Sequence, residues 1–278
     1  MTPYPGLAVK HAGSLRSKLT LAVGLAGITV HLLVALVIIF TTFRFISQRR
    51  QRELIHRWSL VVLRIFGISV RVSGAPLESR RGTMLVLNHI SWSDIYVVHA
   101  IRPARFVAKS EIRSWPLIGY LCDRTGTLFI ERGRRHAVHQ VVQQIVLVLE
   151  SGGLVGIFPE GTTSDGTGLL PFHANLIQAA IDAGAPVQPV ALRYQKPRGG
   201  IALEAAYIGD MTLFDSIRAV LLGAPIIARA TLLPCIETGG MTRHQVAEAA
   251  RIAIATSLGV GTGDRQPATG ADLQGELL

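Results

Sequence analysis

Residues 87–96 read LNHISWSDIY, and whether this polar knot starts a helix or carries chemistry decides how the rest of the chain is organised. An apolar run, Met84 to Leu87, leads into Asn88, His89, Ser91, Ser93 and Asp94, and apolar character resumes at Ile95. Inside a single helix, residues five apart stand about 140° apart around the axis, too far for His89 and Asp94 to bond. A strand ending at Leu87, followed by a helix beginning near Ser91, removes that obstacle. His89 then lies in the loop and Asp94 in the first helical turn. In that geometry Asp94 accepts a hydrogen bond from one imidazole nitrogen and keeps the other ready to take a proton from a hydroxyl. Ser91-x-x-Asp94 also fits a capping box, in which Asp94 satisfies a backbone N–H and His89 is an ordinary loop residue. Both readings stand at the level of this segment.

Working outward, short apolar runs alternate with helical stretches. Strands are expected at Met84–Leu87, Arg105–Ala108, Thr127–Ile130, Leu154–Phe158, Val187–Tyr194, Ile201–Ile208 and Ile227–Leu233. Val138, Val141, Val142, Ile145 and Leu149 share one face of a helix over Ala137–Glu150, stopped by Gly152 and Gly153. A second helix, Leu176–Ala183, meets Gly184 and Pro186. The alternation predicts an α/β domain with a mixed, mostly buried sheet flanked by helices. Two further polar clusters end predicted strands: GTLFIER at 126–132 and FPEGTTS at 158–164. Carboxyl ends of strands are where open α/β sheets place ligands. Gly161 permits close backbone approach, and Arg132 offers a planar fork for phosphate or carboxylate. Set against this, Pro159 to Thr162 also suits a plain turn, and Arg132 with Arg134 and Arg135 suits a solvated basic face.

The N-terminal part has a different character. Residues 19–43 contain no formal charge and are long enough, as a helix, to cross a ~30 Å hydrocarbon layer. The run is too long for a signal peptide, and Arg44 and the Arg49/Arg50/Arg52 cluster stand where a cleavage site is needed. An N-terminal transmembrane helix is therefore expected, preceded by a basic leader at 1–18. The arginine excess on its C-terminal side places the following domain in the cytoplasm. Residues 54–72 mix arginines with Trp58, Val62, Leu63, Ile65 and Phe66, as an interfacial helix and lead-in does, although an ordinary amphipathic helix covering the sheet fits equally. The main domain runs over 54–258, and 259–278 is a Gly-, Thr- and Asp-rich flexible tail.

Formal charge is +10, but residues 1–54 account for +6 of it, leaving +4 for the remaining 224. That excess is too small to suggest a nucleic-acid-binding surface, and no zinc-finger or RNA-binding pattern accompanies it. The two cysteines, Cys122 and Cys235, have no metal-ligand spacing and imply no disulfide framework. No G-x-S-x-G is present, which argues against a serine lipid hydrolase. Gly261-Thr262-Gly263 lacks the third glycine and the helix of a dinucleotide site.

NHISWSD, GTLFIER, FPEGTTS and VQPVAL (187–192), in that order, resemble the four blocks of the glycerolipid acyltransferase family that includes 1-acylglycerol-3-phosphate acyltransferase, with the His-x4-Asp motif in the first. The resemblance covers about residues 80–195. It implies transfer of a fatty acyl group from acyl-CoA or acyl carrier protein to a lysolipid hydroxyl at a membrane. It also implies His89 as general base, Asp94 as its orienter, and Lys109, Arg132, Glu160, Gly161 and Thr162 as binders of the acceptor. A thioester is already activated, so neither metal nor cofactor nor covalent serine is required; proton removal and oxyanion stabilisation suffice. Two positions depart from the family pattern. Thr163 stands where arginine is usual and His173 where lysine is common, and a hydroxyl cannot replace a guanidinium at a bidentate phosphate site. The expected acceptor is 1-acylglycerol-3-phosphate, with a lyso-ornithine lipid as the alternative because its acyltransferases resemble FPEGTTSDG. A non-catalytic lipid-binding protein of the same fold is the alternative from another class.

Overall fold

The computed structural model describes residues 14–78, 81–131 and 135–261. The basic leader up to residue 13, Arg132 and the tail beyond 261 lie outside the described residues. Helix α1 (Leu15–Thr41) is followed by α2 (Gln48–Ile65) and strand β1 (Ile68–Gly74). Then come β2 (Thr83–Leu87), α3 (Asp94–Ile101), β3 (Arg105–Lys109), α4 (Ile118–Arg124), β4 (Leu128–Ile130), α5 (Arg135–Glu150) and β5 (Leu154–Ile157). The chain continues through α6 (Gln178–Asp182), β6 (Val187–Gln195), α7 (Leu213–Leu222), β7 (Ile226–Leu232) and α8 (Arg243–Leu258).

The strands form one seven-stranded sheet in the order β1-β7-β6-β2-β5-β3-β4. Strands β6, β2, β5, β3 and β4 are mutually parallel, β7 runs antiparallel to β6, and β1 runs parallel to β7. The sheet is therefore mixed and flanked by helices, as expected. Strand β2 shows how its burial arises. Met84 and Val86 enter the layer of α5, α6 and α8, while Leu85 and Leu87 enter the layer of α2 and α3. All five of its residues are buried, which is why Met84 to Leu87 are continuously apolar. Each such side chain contributes about 1.5–3 kcal/mol relative to exposure.

Three local expectations need correction. The helix expected through residue 72 stops at Ile65, because Gly67 adopts φ +67 and donates its N–H to the Arg64 carbonyl, a left-handed glycine terminus. Residues 68–74 then pair with β7 as an edge strand. Second, Ile201–Ile208 is not a strand: Ile201 makes an isolated bridge to Gln195, and 203–205 form a single 3-10 turn. Third, Leu176–Ala183 is a 3-10 turn running into the short α6.

Helix α1 begins at Leu15, capped by the Ser14 hydroxyl, which accepts from the Ser17 N–H at 3.1 Å. Its apolar length is enough to cross a membrane, with mean hydropathy 2.6. One side nevertheless packs on the domain along most of that length. Gly24 lies beneath Leu221 of α7 and Gly27 near Ile65 of α2. His31 stacks on Trp58, and Ala35, Ile39 and Phe43 cluster with Leu121 of α4. The opposite side exposes Val30, Leu33, Val34, Val37 and Phe40. Helix α2 covers the sheet through Val62 and Leu63, so it takes the ordinary amphipathic role, with Leu60 and Val61 left exposed.

Candidate active site

The five parallel strands bring their carboxyl ends to one edge of the sheet, and the polar clusters of β2 and β5 meet there. Asn88 carries the β2–β6 ladder one step past its last pair: its amide donates to the Leu192 carbonyl at 3.0 Å and accepts from the Leu192 N–H at 2.7 Å. The chain then turns, and Asp94 begins α3. The Asp94 N–H bonds back to the Ser91 carbonyl at 3.1 Å. This bend brings His89 and Asp94 together, with Nδ1 to Oδ2 at 2.8 Å. The same oxygen accepts from the Ile90 N–H at 2.8 Å and the Ser91 N–H at 3.0 Å. Asp94 thus braces the turn and meets the imidazole; the full capping box is not formed, since the Asp94 N–H goes to the Ser91 carbonyl and α3 has Ser93 at its N-cap with no side-chain cap bond.

Asp94 is fully buried, whereas the His89 side chain is 20% exposed. The remaining Asp94 oxygen, Oδ1, accepts from the Tyr194 hydroxyl at 2.7 Å. That hydroxyl also lies 2.8 Å from Ser93 Oγ. Burial, with Asp94 beside it, pushes the Tyr194 phenol well above its ordinary range, so it remains a neutral donor. A carboxylate with four donors is held in one orientation. With Nδ1–H directed at Asp94, the lone pair falls on Nε2. The imidazole stacks on Phe158, with ring centroids 4.0 Å apart, and Phe158 in turn stacks on Phe106.

Glu160 has a different position from a ligand-binding carboxylate. It is 3% exposed, its Oε1 accepts from the His89 N–H at 2.7 Å, and its Oε2 accepts from the Leu170 N–H at 2.9 Å. Ser164 clamps the other side of the same residue, its N–H donating to the His89 carbonyl at 2.8 Å. Residues 158–164 therefore fasten the His89 loop from below. Burial pushes the Glu160 carboxyl up to about 8; the two backbone donors oppose this and the Asp94 charge adds to it. At neutral pH the group is protonated, leaving Asp94 without a second buried anion beside it. The folded chain holds a proton that the unfolded chain releases above the ordinary carboxyl range, so stability falls as pH rises from about 4.5 to about 8 and then levels. Thermal melts between pH 5 and 8.5 should show this decline in the native protein, and a flatter profile with Glu160→Gln.

The other expected acceptor-binding residues are placed as follows. Gly161 adopts φ +69, a conformation that suits glycine, and Thr162 is exposed beside it. Lys109 ends β3 on the same edge, and Arg132 is outside the described residues. Thr163, in the usual arginine position, donates its hydroxyl to the Tyr207 carbonyl and so faces the chain. Tyr194, Asn88 and Phe158 also line this cluster, although no motif assigns them a role. A tyrosine two residues beyond VQPVAL was the available signal for the first.

The chain is similar to known acyltransferases. A family model described as Acyltransferase matches residues 69–193. The chain is 39% identical over 210 residues to a lyso-ornithine lipid O-acyltransferase of Pseudomonas aeruginosa, covering 74% of this chain and 79% of that protein. It is 41% identical over 146 residues to a 1-acyl-sn-glycerol-3-phosphate acyltransferase of Neisseria meningitidis, covering 52% and 57%. The fold matches the crystal structure of the 1-acyl-sn-glycerophosphate acyltransferase PlsC of Thermotoga maritima, with TM-score 0.67 at 18% identity over 90% of this chain and 99% of that one.

Proposed function

The chain belongs to the acyltransferase family, and from that premise we propose that it acylates the free hydroxyl of a membrane lysolipid at the His89–Asp94 pair. The observation that carries the reading is the 2.8 Å bond from Nδ1 of a partly exposed imidazole to a fully buried, four-donor carboxylate. His89 Nε2 takes the hydroxyl proton as the oxygen attacks the thioester carbonyl. The C–S bond then breaks, and the imidazolium returns the proton to the departing thiolate. The products are an ester and a free thiol, with no metal in the balance.

The first acceptor is 1-acylglycerol-3-phosphate, which the Neisseria relative's name supports, with Lys109, Arg132, Gly161 and Thr162 as the residues assigned to its head group. A second acceptor, a lyso-ornithine lipid, is favoured by Thr163, whose hydroxyl is spent on a backbone carbonyl where a phosphate clamp is usual, and by the longer alignment with the Pseudomonas relative. Purified protein with labelled acyl-CoA or acyl carrier protein, offered both acceptors and lysophosphatidylcholine side by side, separates these. Predominant labelling of lyso-ornithine lipid overturns the first acceptor and leaves the mechanism standing, whereas no labelling of any acceptor overturns the reading.

The apolar outer face of α1 joins the protein to the membrane, and the arginines after it support a cytoplasmic active site. Because α1 is packed on α2, α4 and α7 from Gly24 to Phe43, a helix immersed with the domain against it fits better than a span that leaves the domain. Protease accessibility in sealed vesicles checks the sidedness.

A further inference from the structure

Strand β5 and the residue after it face the two layers of the fold in turn. Val155 and Ile157 enter the layer of α5 and α8, while Leu154 and Phe158 enter the layer of α2 and α3. Gly156 falls on the second side, paired in register with Phe106 of β3. A Cβ at Gly156 would stand 2.5 Å from the Phe106 ring, so the glycine is what lets that ring lie against β5. Phe106 is parallel to Phe158 within 9°, at a centroid distance of 5.6 Å. His99 of α3 meets Phe106 edge-on, at 5.3 Å and 84°. His99, Phe106, Phe158 and His89 therefore form a row of four rings that ends at the imidazole of the candidate site.

The two histidines of the row differ in the charge they can carry. His99 is buried, its Nδ1 accepts from the Ala104 N–H at 3.4 Å, and burial lowers it to about 4, so it is neutral near neutral pH. His89 is the one that takes a proton during transfer. Its bond to Asp94 fixes the position of Nδ1 but leaves the ring plane free to swing about that contact. The stack on Phe158, within 16° of parallel, fixes the plane. The spacing adds a second point. Neutral aromatic pairs settle with centroids about 4.5–7 Å apart, offset or edge-on. At 4.0 Å the imidazole lies more nearly over the Phe158 face, where the negative quadrupole of the ring attracts a cation. The overlap therefore suits the imidazolium better than the neutral base. Water screens this attraction little, because the His89 side chain is only 20% exposed.

We propose that Phe158 is a positioning residue for acyl transfer, whose ring face holds the plane of His89 and stabilises the imidazolium formed as the acceptor hydroxyl gives up its proton. This rests on the acyl-transfer reading above and adds a second source of stabilisation to the Asp94 carboxylate. Gly156 and Phe106 keep the Phe158 ring in place.

The test uses the full chain with Phe158 replaced in turn by mono-, di- and trifluorophenylalanine, which keep the shape of the ring while weakening its negative face. At saturating acceptor, the logarithm of the single-turnover rate with a labelled thioester should fall in proportion to the number of fluorines. The whole series should span about tenfold, with the acceptor concentration for half-maximal rate unchanged. The same series at Phe106, one ring further from His89, should be nearly flat. Phe158→Leu should lose at least as much rate. It should also abolish the upfield ring-current shift of the His89 ring protons in NMR spectra of histidine-labelled protein, where His89→Ala assigns the signals. That shift reads the stack independently of turnover. Rates indifferent to fluorination at Phe158, or falling as steeply with fluorination at Phe106, overturn the proposal. So does a native His89 spectrum without the ring-current shift. If Phe158→Leu fails to fold, the fluorinated series decides alone. If the native protein shows the shift yet transfers acyl groups from no donor, the acyl-transfer reading fails instead.

Discussion

His89→Ala lowers kcat for acyl transfer by about 10²–10⁴ while the protein stays folded and membrane-bound, because the general base is lost and little else. The neighbouring bonds explain why folding survives. Asp94 keeps the Ile90 and Ser91 N–H groups and the Tyr194 hydroxyl, so its buried carboxylate is not left bare. Main-chain clamps on residue 89, from Glu160 and Ser164, do not depend on the side chain. The imidazole is partly exposed, so its removal opens no large cavity, although the stack on Phe158 is lost. Single-turnover rates with a labelled thioester, alongside circular dichroism and vesicle sedimentation, check each part. Wild-type turnover in this variant removes the catalytic role and leaves a lipid-binding scaffold as the better description.

Local pattern made the parallel core of the sheet legible. Strands β2 to β6 are short apolar runs bounded by polar turns, and α5 shows a helical face with glycines behind it. Strand β1 was hidden because its edge position leaves Arg71 and Ser73 exposed, and because it follows the amphipathic α2 after only two residues. Ile201–Ile208 has strand composition but no neighbour to pair with beyond one bridge, so tertiary context outweighs propensity. The His89–Asp94 convergence could be argued from spacing because both partners lie within five residues and only one bend is needed. Tyr194 could not be argued in that way. Its bond to Asp94 spans 100 positions and exists because β6 lies beside β2, a pairing that no local pattern specifies. Glu160 was legible as a polar group at a strand end, but its commitment to two backbone N–H groups depends on how the loop folds under His89.

Asp94→Asn separates the two tasks that this carboxylate performs. Two backbone N–H groups converge on Oδ2, so the amide oxygen must take that place, because an NH₂ there meets donors with a donor. The NH₂ then faces the Tyr194 hydroxyl, which can accept from it and turn its own proton to Ser93 Oγ, 2.8 Å away. Every bracing bond has a replacement, and the His89 Nδ1–H still meets an oxygen. What disappears is the negative charge that stabilises the imidazolium formed as the acceptor hydroxyl is deprotonated. Turnover should fall by roughly 10²–10⁴, approaching His89→Ala, with little change in melting temperature. Asp94→Ala offers the contrast. It strands the Ile90 and Ser91 N–H groups and frees the Tyr194 hydroxyl in a buried site, at about 1–3 kcal/mol for each group left unsatisfied, so it should lose stability as well as turnover. Melting curves and single-turnover rates of the two variants measured together decide the matter. Equal instability in both makes Asp94 a brace alone, and near-native turnover in Asp94→Asn removes its charge from the mechanism.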